Sequence, residues 1–382
     1  MINEYRYLAS FKPKGYPVKH RHREAFDPDL LAPSEFMART RKIRELDHEL
    51  DRFIFTAKDY FELVSDAYAS NIHWSTSLEG NPLTDQEVVR VTRETLSGQV
   101  RERPPGPSQE VVNHLVNLLY PQLFSLPWTE QKVCELNRML LADTGTTART
   151  GEYRAHHVMV GDPGTGEEHF IAAPPDDVPD QMRKLIQWTN GRSQVYDPII
   201  AATVMFHEFE SIHPFENGNG RTGRCLFHLF LQATALKNSH LCKIDHKMIE
   251  DRDLYYDLLA YTDETGSYRE LIDFFSLAIL RSYEEANEAL GKKDLLSMEL
   301  DETSKRLAQK AKAHRAFFSI AEARGWAGNL SEQTIGKRLS ELEDLGFLES
   351  SGRTKSRRYR MKDPLSEFRD GLKDGKGPAG TL

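Results

Sequence analysis

The sequence contains few cysteines and no long apolar run. Its three cysteines, Cys134, Cys225 and Cys242, lie far apart and form no Cys-x-x-Cys pair, so they indicate neither a disulfide framework nor a zinc site. No stretch of 18 apolar residues occurs, and the polar N-terminal region lacks the apolar segment of a secretion signal. We therefore expect a cytoplasmic protein without a membrane partner.

The sequence also lacks an excess of positive charge. Its formal net charge is -8 at pH 7, which argues against a protein that binds nucleic acid over its whole surface. Apolar residues make up 39% and charged residues 28% of the 382 positions, a balance typical of folded proteins. A chain of this length exceeds the usual size of one hydrophobic core, so we expect two or three structural units.

Apolar residues recur at helical spacing over most of the chain. This pattern predicts one long helix from residue 33 to about 68, and further helices over 84–98, 108–121, 128–142, 177–190, 196–211, after Gly220, over 246–264 and from 268 into the 290s. Two short apolar runs flank the turn-rich sequence GDPGTGEE and predict a β-hairpin over residues 156–173. Residues 1–33 show no periodicity and are expected to form an irregular arm on the body of the protein. The predicted fold class is mainly α with one hairpin.

The C-terminal region has the pattern of a separate small unit. A charged, helix-prone segment over residues 285–303 is a predicted connector, and two helical patterns and a short hairpin follow in the order of a winged helix over residues 300–365. We expect residues 366–382 to be disordered. The hairpin carries six positive charges within ten residues, which suit a solvated wing, DNA contact, or protein docking and dimerisation: Arg353, Lys355, Arg357, Arg358, Arg360 and Lys362.

The segment HPFENGNGRTGR, residues 213–224, lies between two helical patterns and has the composition of an anion-binding loop. Gly218 and Gly220 allow the backbone to approach an anion, and the N-terminus of the following helix favours negative charge. Arg221 and Arg224 are three residues apart, so both side chains can reach one polyphosphate. Because the pKa of a histidine suits a general base near neutral pH, His213 is the candidate catalytic residue.

These residues resemble the signature of the Fic family, HPFx[D/E]GNGRxxR, at every fixed position except one. The resemblance implies a protein adenylyltransferase, in which His213 deprotonates a Ser, Thr or Tyr hydroxyl of a target protein, and that hydroxyl attacks the α-phosphate of ATP. It also implies that Phe215 packs beneath the loop. The nucleotide-binding residues implied by the resemblance are Gly218, Asn219, Gly220, Arg221, Thr222, Gly223 and Arg224. The demands of such a reaction are those of phosphoryl transfer, in which positioned donors neutralise the developing charge.

The departure from the signature is Asn217, where the family usually has an acidic residue that binds Mg²⁺ between the α- and β-phosphates. By resemblance, Asn217 is the metal ligand of this chain. An amide oxygen carries no net charge and binds Mg²⁺ less well than a carboxylate, so other metals, such as Mn²⁺, can compete. The neighbouring Glu216 is expected to point away from the site.

A second segment, STSLEGN at residues 75–81, resembles the inhibitory motif [S/T]xxxE[G/N] of the same family. In that family the glutamate pairs with the last arginine of the signature, here Arg224, and blocks the productive pose of the γ-phosphate. Ser75 and Glu79 are four residues apart, so a helix places them on one face. The resemblance implies an autoinhibited enzyme whose inhibitory helix precedes the signature. Judged by its residue type alone, Glu79 also suits a helix cap or a surface position.

Two further assignments follow from the resemblance. The hairpin over residues 156–173 corresponds to the flap of the family, which docks the target protein by strand addition, and Val160 and Gly161 would lie near the nucleotide. Tyr255 and Tyr256 fall in a segment that closes over the adenine in the family, although both are equally typical of a hydrophobic core.

Together these features predict a Fic core over residues 70–285, with the inhibitory helix at 75–81, an arm and helical extension at 1–69, and a C-terminal winged helix. The predicted partners are ATP and a protein with a hydroxyl side chain, and homodimerisation and DNA contact are left open. Two alternative functions also stay open. One is the removal of AMP from modified proteins, with Glu79 positioning water, and the other is a nucleotide-sensing DNA-binding regulator with weak catalysis, which Asn217 allows.

Overall fold

The protein is built mainly of α-helices. The computed structural model describes residues 17–24, 26–28, 34–99, 104, 106–119, 125–162, 167–293, 299–353 and 356–366. The helices are α1 (Ser34–Leu50), α2 (Ala57–Leu78), α3 (Asp85–Leu96), α4 (Gly106–Leu119), α5 (Glu130–Leu141), α6 (Val178–Asn190), α7 (Pro198–Ile212), α8 (Asn219–Thr234), α9 (Ile244–Ile249), α10 (Arg252–Thr265), α11 (Arg269–Lys293), α12 (Glu302–His314), α13 (Ile320–Ala327) and α14 (Glu332–Asp344). The strands are β1 (Val18–Lys19), β2 (Val160–Asp162), β3 (Glu167–Ile171), β4 (Leu348–Ser351) and β5 (Arg358–Met361).

The prediction of one long helix over residues 33–68 is wrong, because two helices, α1 and α2, replace it. The chain leaves the helical path after Leu50 and re-enters it at Thr56, whose side chain caps α2 by accepting a hydrogen bond from the Asp59 backbone N–H. Ile54, between them, is buried in a hydrophobic cluster formed mostly by residues after 306. Burial of this side chain against a distant part of the chain outweighs the local helical pattern.

The other helices predicted before the C-terminal unit are confirmed, with two adjustments. The predicted helix over 246–264 is two helices, α9 and α10, and α10 begins after Asp251, whose side chain accepts a hydrogen bond from the Leu254 N–H. The predicted connector over 285–303 is helical at its start, because α11 continues to Lys293. The expected domain boundary between residues 69 and 70 falls inside the continuous helix α2.

Two hydrophobic clusters hold the described residues together. The larger cluster includes side chains from α1 to α11, with α7 and α8 at its centre through buried residues such as Phe206, Phe209 and Phe227. Helix α7 is apolar on nearly all sides, as expected of a helix enclosed by others. The smaller cluster includes Leu307, Phe318 and other residues of α12, α13, α14, β4 and β5. A rigid pair of buried helices therefore carries the loop at residues 213–218 that joins them.

The predicted hairpin is present but shorter than residues 156–173. Strands β2 and β3 pair antiparallel, with an irregularity in register between Val160 and Gly161. The sheet has a third strand that the sequence did not indicate, because β1 pairs parallel with β3, with Val18 opposite Phe170. The N-terminal arm, expected to be irregular, therefore contributes an edge strand.

The C-terminal unit contains three helices and a two-stranded sheet, in the order α12, α13, α14, β4, β5. The first of the two predicted helices is divided into α12 and α13, and Phe318 between them pairs with Tyr359 of β5. Its classification as a winged helix stays a prediction. No described helix is both long and apolar enough to cross a membrane.

The basic segment of this unit is partly neutralised by its own neighbours. Arg357 pairs with Glu343, and Arg360 pairs with Glu349 and lies over the ring of Phe317. The remaining predicted contributors include Lys355, which lies outside the described residues, as does nearly all of the predicted tail over 366–382. DNA contact stays a prediction.

Lys312 of α12 stabilises the break between α1 and α2. Its ammonium group donates hydrogen bonds to the backbone carbonyls of Leu50, Asp51 and Phe53, at 3.4, 2.9 and 2.9 Å. We expect Lys312→Met to lower the free energy of unfolding by about 1–2 kcal/mol, since a cation at a helix C-terminus and its carbonyl acceptors are lost together. Urea denaturation checks this, with Lys310→Met, an exposed position on the same helix, as control. Equal effects of the two substitutions would contradict the assignment.

Candidate active site

The loop between α7 and α8 turns sharply at His213. Helix α7 ends at Ile212, and His213 adopts the left-handed conformation, with φ 53° and ψ 61°, while its N–H donates to the Phe209 carbonyl at 3.0 Å. A non-glycine residue in this region costs about 1–3 kcal/mol, so surrounding contacts must hold it there. Gly218, at φ 78°, makes a second left-handed turn and caps α8. The two turns place the histidine and the start of α8 at the same end of the helix pair.

Side chains within the loop fix its shape. The Asn219 amide accepts a hydrogen bond from the Phe215 N–H and donates one to the Phe215 carbonyl, both at 2.8 Å. The Thr222 hydroxyl donates to the Gly218 carbonyl at 2.7 Å. Phe215 is fully buried beneath the loop, as the resemblance implied. The side chains of Asn219 and Thr222 therefore hold the loop, and their contact with nucleotide stays a prediction.

A buried arginine joins this loop to the base of the hairpin. Arg154 donates from Nε to the His213 carbonyl at 2.7 Å, from Nη1 to the His156 carbonyl at 3.0 Å and from Nη2 to the Ile212 carbonyl at 3.2 Å. Its own N–H donates to the Pro214 carbonyl at 2.9 Å. Arg154 thus satisfies the backbone carbonyls that the left-handed turn at His213 leaves outside the helix.

His213 is arranged to accept a proton. Its Nδ1 lies 3.2 Å from the Glu210 carbonyl, an acceptor, so Nδ1 carries the proton and Nε2 holds the free lone pair. Burial lowers the pKa of His213 to about 4, with small opposing contributions from the Glu210 carbonyl and the Glu79 charge. The ring is therefore neutral at pH 7, which is the form that acts as a base.

The first turn of α8 is open to an anion only because Gly220 has no side chain. A Cβ at Gly220 would lie 2.1 Å from Oε1 of Glu79 and 2.9 Å from Nη1 of Arg224. The carboxylate of Glu79 therefore lies directly against the backbone of this turn, where helix N–H groups favour negative charge. The position suited to a phosphate is occupied by a carboxylate of the chain itself.

Arg224 is buried, and the end of α2 provides its partners. Its Nε donates to the Ser75 hydroxyl at 2.8 Å, and its Nη2 donates to the Ser75 carbonyl at 2.9 Å and to Oε1 of Glu79 at 2.8 Å. Glu79 is the C-cap of α2, one residue beyond the helix, and its side chain is 25% exposed. Burial raises its pKa, but the charges of Arg224 and Arg221 outweigh burial, so the pKa of Glu79 lies below its usual value. The pair is therefore ionic at neutral pH.

A further carboxyl group lies close to this pair. Glu210 of α7 extends towards Gly223, and its Oε1 is buried without a hydrogen-bond partner. Burial raises the pKa of Glu210 to about 8, against the opposing charge of Arg224. Glu210 is thus mostly neutral at pH 7, which leaves Glu79 as the negative charge that balances Arg224.

Arg221 is also paired with a carboxylate. Its Nη1 lies 2.6 Å from Oε1 of Glu110 on α4, and its Nη2 donates to Oδ1 of Asn217 at 2.9 Å. The side chains of Arg221 and Glu110 are 8% and 12% exposed, so this is a largely buried ion pair. Both arginines of the signature are therefore neutralised by carboxylates from other helices.

The residues around Asn217 do not fit a metal ion in this arrangement. The Asn217 amide oxygen accepts from Arg221, and its Nδ2 donates to the Thr146 hydroxyl at 3.1 Å. Within the described ranges, no three His, Cys, Asp or Glu side chains are grouped as a metal site. A hard cation prefers negatively charged oxygen ligands, and the nearest group bound to this oxygen is itself a cation. Magnesium binding through Asn217 stays a prediction, and the chemistry derived below uses no metal.

The two tyrosines predicted near the adenine differ in exposure. Tyr255 is 1% exposed, with its ring against Phe206 and Phe275, and it forms a side-chain hydrogen bond with Arg224. Tyr256 is 51% exposed, and its pKa is raised by burial and by the charge of Glu79. Tyr255 is therefore a core residue that also supports Arg224, and of the two only Tyr256 has a ring face open to a base.

The hairpin approaches the loop at its base. Glu216 accepts a hydrogen bond from the Arg149 N–H at 3.0 Å and lies 3.7 Å from Nδ1 of His156. Glu216 is thus directed towards the hairpin, as expected of a side chain that points away from the arginines. Val160 and Gly161 lie farther along the hairpin, in β2.

Three residues of this site were not indicated by the sequence: Arg154, Glu110 and Glu210. Each acts through contacts with residues far away in the chain or with backbone groups, and none stands in a motif. Helical spacing places Glu210 one turn before His213, which is the only local signal for any of them.

Arg154→Met tests the link between loop and hairpin. We expect the free energy of unfolding to fall by about 2–4 kcal/mol, because several buried carbonyls lose their donor. Amide hydrogen exchange near residues 212–216 should accelerate in the same variant. The matched control is Arg149→Met, whose side chain is exposed and should change stability by less than about 0.5 kcal/mol. An unchanged exchange rate in this segment would contradict the proposed link.

Known proteins resemble this chain in sequence and in fold. Residues 127–231 match the model of the Fic/DOC family. The chain is 26% identical over 229 residues to protein adenylyltransferase fic-1 of Caenorhabditis elegans, covering 54% of this chain and 42% of that protein. It is 24% identical over 282 residues to protein adenylyltransferase Fic of Nematostella vectensis, covering 67% of this chain and 61% of that protein. The chain thus spans about half the length of these curated relatives.

A solved structure extends the likeness beyond the loop. The crystal structure of a Fic family protein from Desulfovibrio desulfuricans superimposes with a TM-score of 0.57 at 21% identity, covering 88% of this chain and 98% of that one. At this identity the match establishes the fold. The matched segment 127–231 includes α5, α6, α7, the loop with His213 and most of α8. The chain therefore contains a Fic domain and has the fold of a Fic family protein.

Proposed function

We propose that this protein transfers AMP from ATP to a Ser, Thr or Tyr hydroxyl of a target protein and of itself. The observation that carries the proposal is the arrangement at residues 213–224, where a neutral histidine and two arginines converge on a helix N-terminus. The relatives named protein adenylyltransferases support the same chemistry.

The phosphates of ATP bind at the first turn of α8. The N–H groups there and the guanidinium groups of Arg221 and Arg224 are the positive partners, and all are held in place before the nucleotide arrives. Positioned donors of this kind stabilise charge that develops on the phosphate oxygens without reorganising during the reaction. Tyr256 offers its exposed ring to the adenine.

His213 activates the hydroxyl. Nε2 removes the hydroxyl proton as the oxygen attacks the α-phosphorus of ATP. The bond between the α-phosphorus and the oxygen that bridges to the β-phosphate breaks, and pyrophosphate leaves with the electron pair. The products are AMP-protein and pyrophosphate, with the proton on His213. Arg154 keeps the histidine backbone in its left-handed turn during this step.

The target protein docks on the outer edge of the hairpin sheet. The strand order is β1, β3, β2, so β1 of the chain itself lies on one side of β3 and β2 forms the other edge. An extended segment of a target can add to β2 through main-chain hydrogen bonds. The base of this hairpin is joined through Arg154 to the loop that carries His213, which supports a docking site on this sheet.

Glu79 inhibits this reaction. Its carboxylate lies against Gly220 and pairs with Arg224, so it occupies the position of a phosphate and removes the charge that would attract one. A phosphate group must displace it before Arg224 can bind the nucleotide. The basal rate is therefore low.

Glu79→Gly tests the inhibition. We expect self-modification with labelled ATP to rise about a hundredfold, the effect of removing a block worth roughly 3 kcal/mol. Glu79→Gln is the matched variant, because it keeps the size of the side chain and removes its charge, and it should also raise the rate. Unchanged incorporation in both variants would refute the inhibitory role.

His213→Ala in the Glu79→Gly background is the control for catalysis. Transfer should be lost while ATP binding is retained. Continued transfer would remove His213 as the base, and net release of AMP from a modified protein by the unaltered chain would favour hydrolytic removal of AMP, with Glu79 positioning water, instead.

The pH dependence of transfer tests the state of His213. A histidine is neutral above its pKa. Because the pKa of His213 is lowered to about 4, its base form persists down to about pH 5. Removing Glu79 takes away a charge that raises this pKa, so Glu79→Gly should keep this behaviour. At pH 6 we expect most of the rate seen at pH 7.5, whereas a histidine with an ordinary pKa would retain about a quarter of its base form. ATP binding measured over the same pH range distinguishes titration of the nucleotide from titration of His213. A rate that falls with a midpoint near pH 6.5, without a matching fall in ATP binding, would contradict the lowered pKa of His213.

A further inference from the structure

Arg221 has a partner that belongs to neither family motif. Glu110 lies on α4, more than a hundred residues before the signature, and its Oε1 is 2.6 Å from Nη1 of Arg221. The pair is largely buried, so water screens the charge of Glu110 on Arg221 less than it would screen a surface pair. Any anion that binds Arg221 does so in competition with this carboxylate.

The second oxygen of Glu110 is tied to the segment that carries Glu79. Oε2 accepts a hydrogen bond from Nδ2 of Asn81 at 2.8 Å, and the same nitrogen donates to the Pro107 carbonyl at 3.0 Å. The N–H of Asn81 donates to the carbonyl of Thr76 in the last turn of α2. The turn that presents Glu79 is thus fastened to the carboxylate that neutralises Arg221.

The charges of the site balance. Arg221 and Arg224 carry two positive charges, and Glu110 and Glu79 carry two negative charges at hydrogen-bond distance from them. Nε of Arg221 is buried and has no hydrogen-bond partner, so the guanidinium has donor capacity left for a ligand. A polyphosphate therefore meets donors that are in place but neutralised.

We propose that Glu110 is a positioning residue that acts through Arg221: it holds the guanidinium, cancels its charge, and through Asn81 couples the phosphate site to the docking of Glu79. The proposal rests on the proposed function for the identity of the nucleotide. Release of Glu79 alone would free Arg224 but would leave Arg221 neutralised by Glu110.

Calorimetric titration of the full chain with ATP tests the proposal without any transfer step. Glu110→Gln removes the charge, and its amide cannot accept from both Arg221 and Asn81. We expect ATP to bind about tenfold more tightly than to the unaltered chain, and the KM for ATP to fall more than kcat changes. Glu110→Asp keeps the charge and should restore weak binding. Glu94→Gln on α3 is the matched control for a single charge change away from the site and should leave binding within about twofold.

The outcomes distinguish the proposal from a purely structural role of Glu110 and from failure of the proposed function. If Glu110 has only a structural role, Glu110→Gln lowers the melting temperature and binds ATP no better, which overturns the proposal. If Glu110→Gln does not fold, Asn81→Ala takes its place, because it frees the same carboxylate from the Glu79 segment, and unchanged ATP affinity there overturns the coupling. If Glu110→Gln binds ATP more tightly but no variant transfers AMP, the result would support the proposed role of Glu110 and refute the proposed function.

The coupling has its own readout. Glu110→Gln should increase ATP affinity less in the Glu79→Gly background than in the unaltered chain, because part of its effect is to loosen Glu79. An equal gain in both backgrounds would overturn the connection through Asn81.

Discussion

The buried guanidinium of Arg224 is the constraint on which the rest of the site depends. A charge that is 1% exposed must find its counter-charge and hydrogen bonds within the protein, because water cannot solvate it. Ser75 and Glu79 provide both, and in doing so they fasten the end of α2 to the first turn of α8. The requirement to balance Arg224 thus brings a segment from the first quarter of the chain to the loop at residues 213–218 and the first turn of α8.

The donors that now pair with carboxylates are the same donors that are proposed to bind the nucleotide. In the arrangement described, carboxylates pair with the two arginines, and the carboxylate of Glu79 also lies against the backbone at Gly220. In the proposed function, ATP offers phosphate oxygens in place of the carboxylate oxygens, so its binding is an exchange of anions at fixed donors. Such an exchange lets small changes in the position of α2 alter affinity strongly, because charge pairs in a poorly solvated site are sensitive to distance.

His213 depends on a different set of contacts. Its left-handed backbone is unfavourable by itself, and Arg154 holds it by binding the carbonyls on either side of the turn. The N-terminal arm supports the same region, because His20 hydrogen-bonds Ser211 of α7 while its N–H donates to Ile171 of β3. The strained turn therefore lies between a buried helix pair and a sheet, both anchored by long-range contacts.

Many of the helices and the loop at residues 213–218 could be predicted from the sequence, because they depend on residue types and their spacing along the chain. Periodicity located most helices, and the glycines, histidine and arginines at residues 213–224 implied an anion-binding loop, since their spacing in a loop followed by a helix allows little else. The two motifs also implied the pairing of Glu79 with Arg224, which the geometry contains. The sequence did not indicate that the side chains of Asn219 and Thr222 hydrogen-bond to the backbone of the loop, because such contacts depend on its conformation.

The tertiary structure determined the features that depend on contacts between distant parts of the chain. The break between α1 and α2 follows from the burial of Ile54 in a cluster of residues more than 250 positions away. Glu110 and Arg154 meet the loop only because α4 and the base of the hairpin fold against it, and an isolated Glu or Arg in a sequence carries no mark of its partner. The sequence by itself determined which groups could bind a phosphate and accept a proton, since these are properties of residue types at fixed spacing. Only the fold determined which carboxylates neutralise those groups, because ion pairing depends on distance in space and not on distance along the chain.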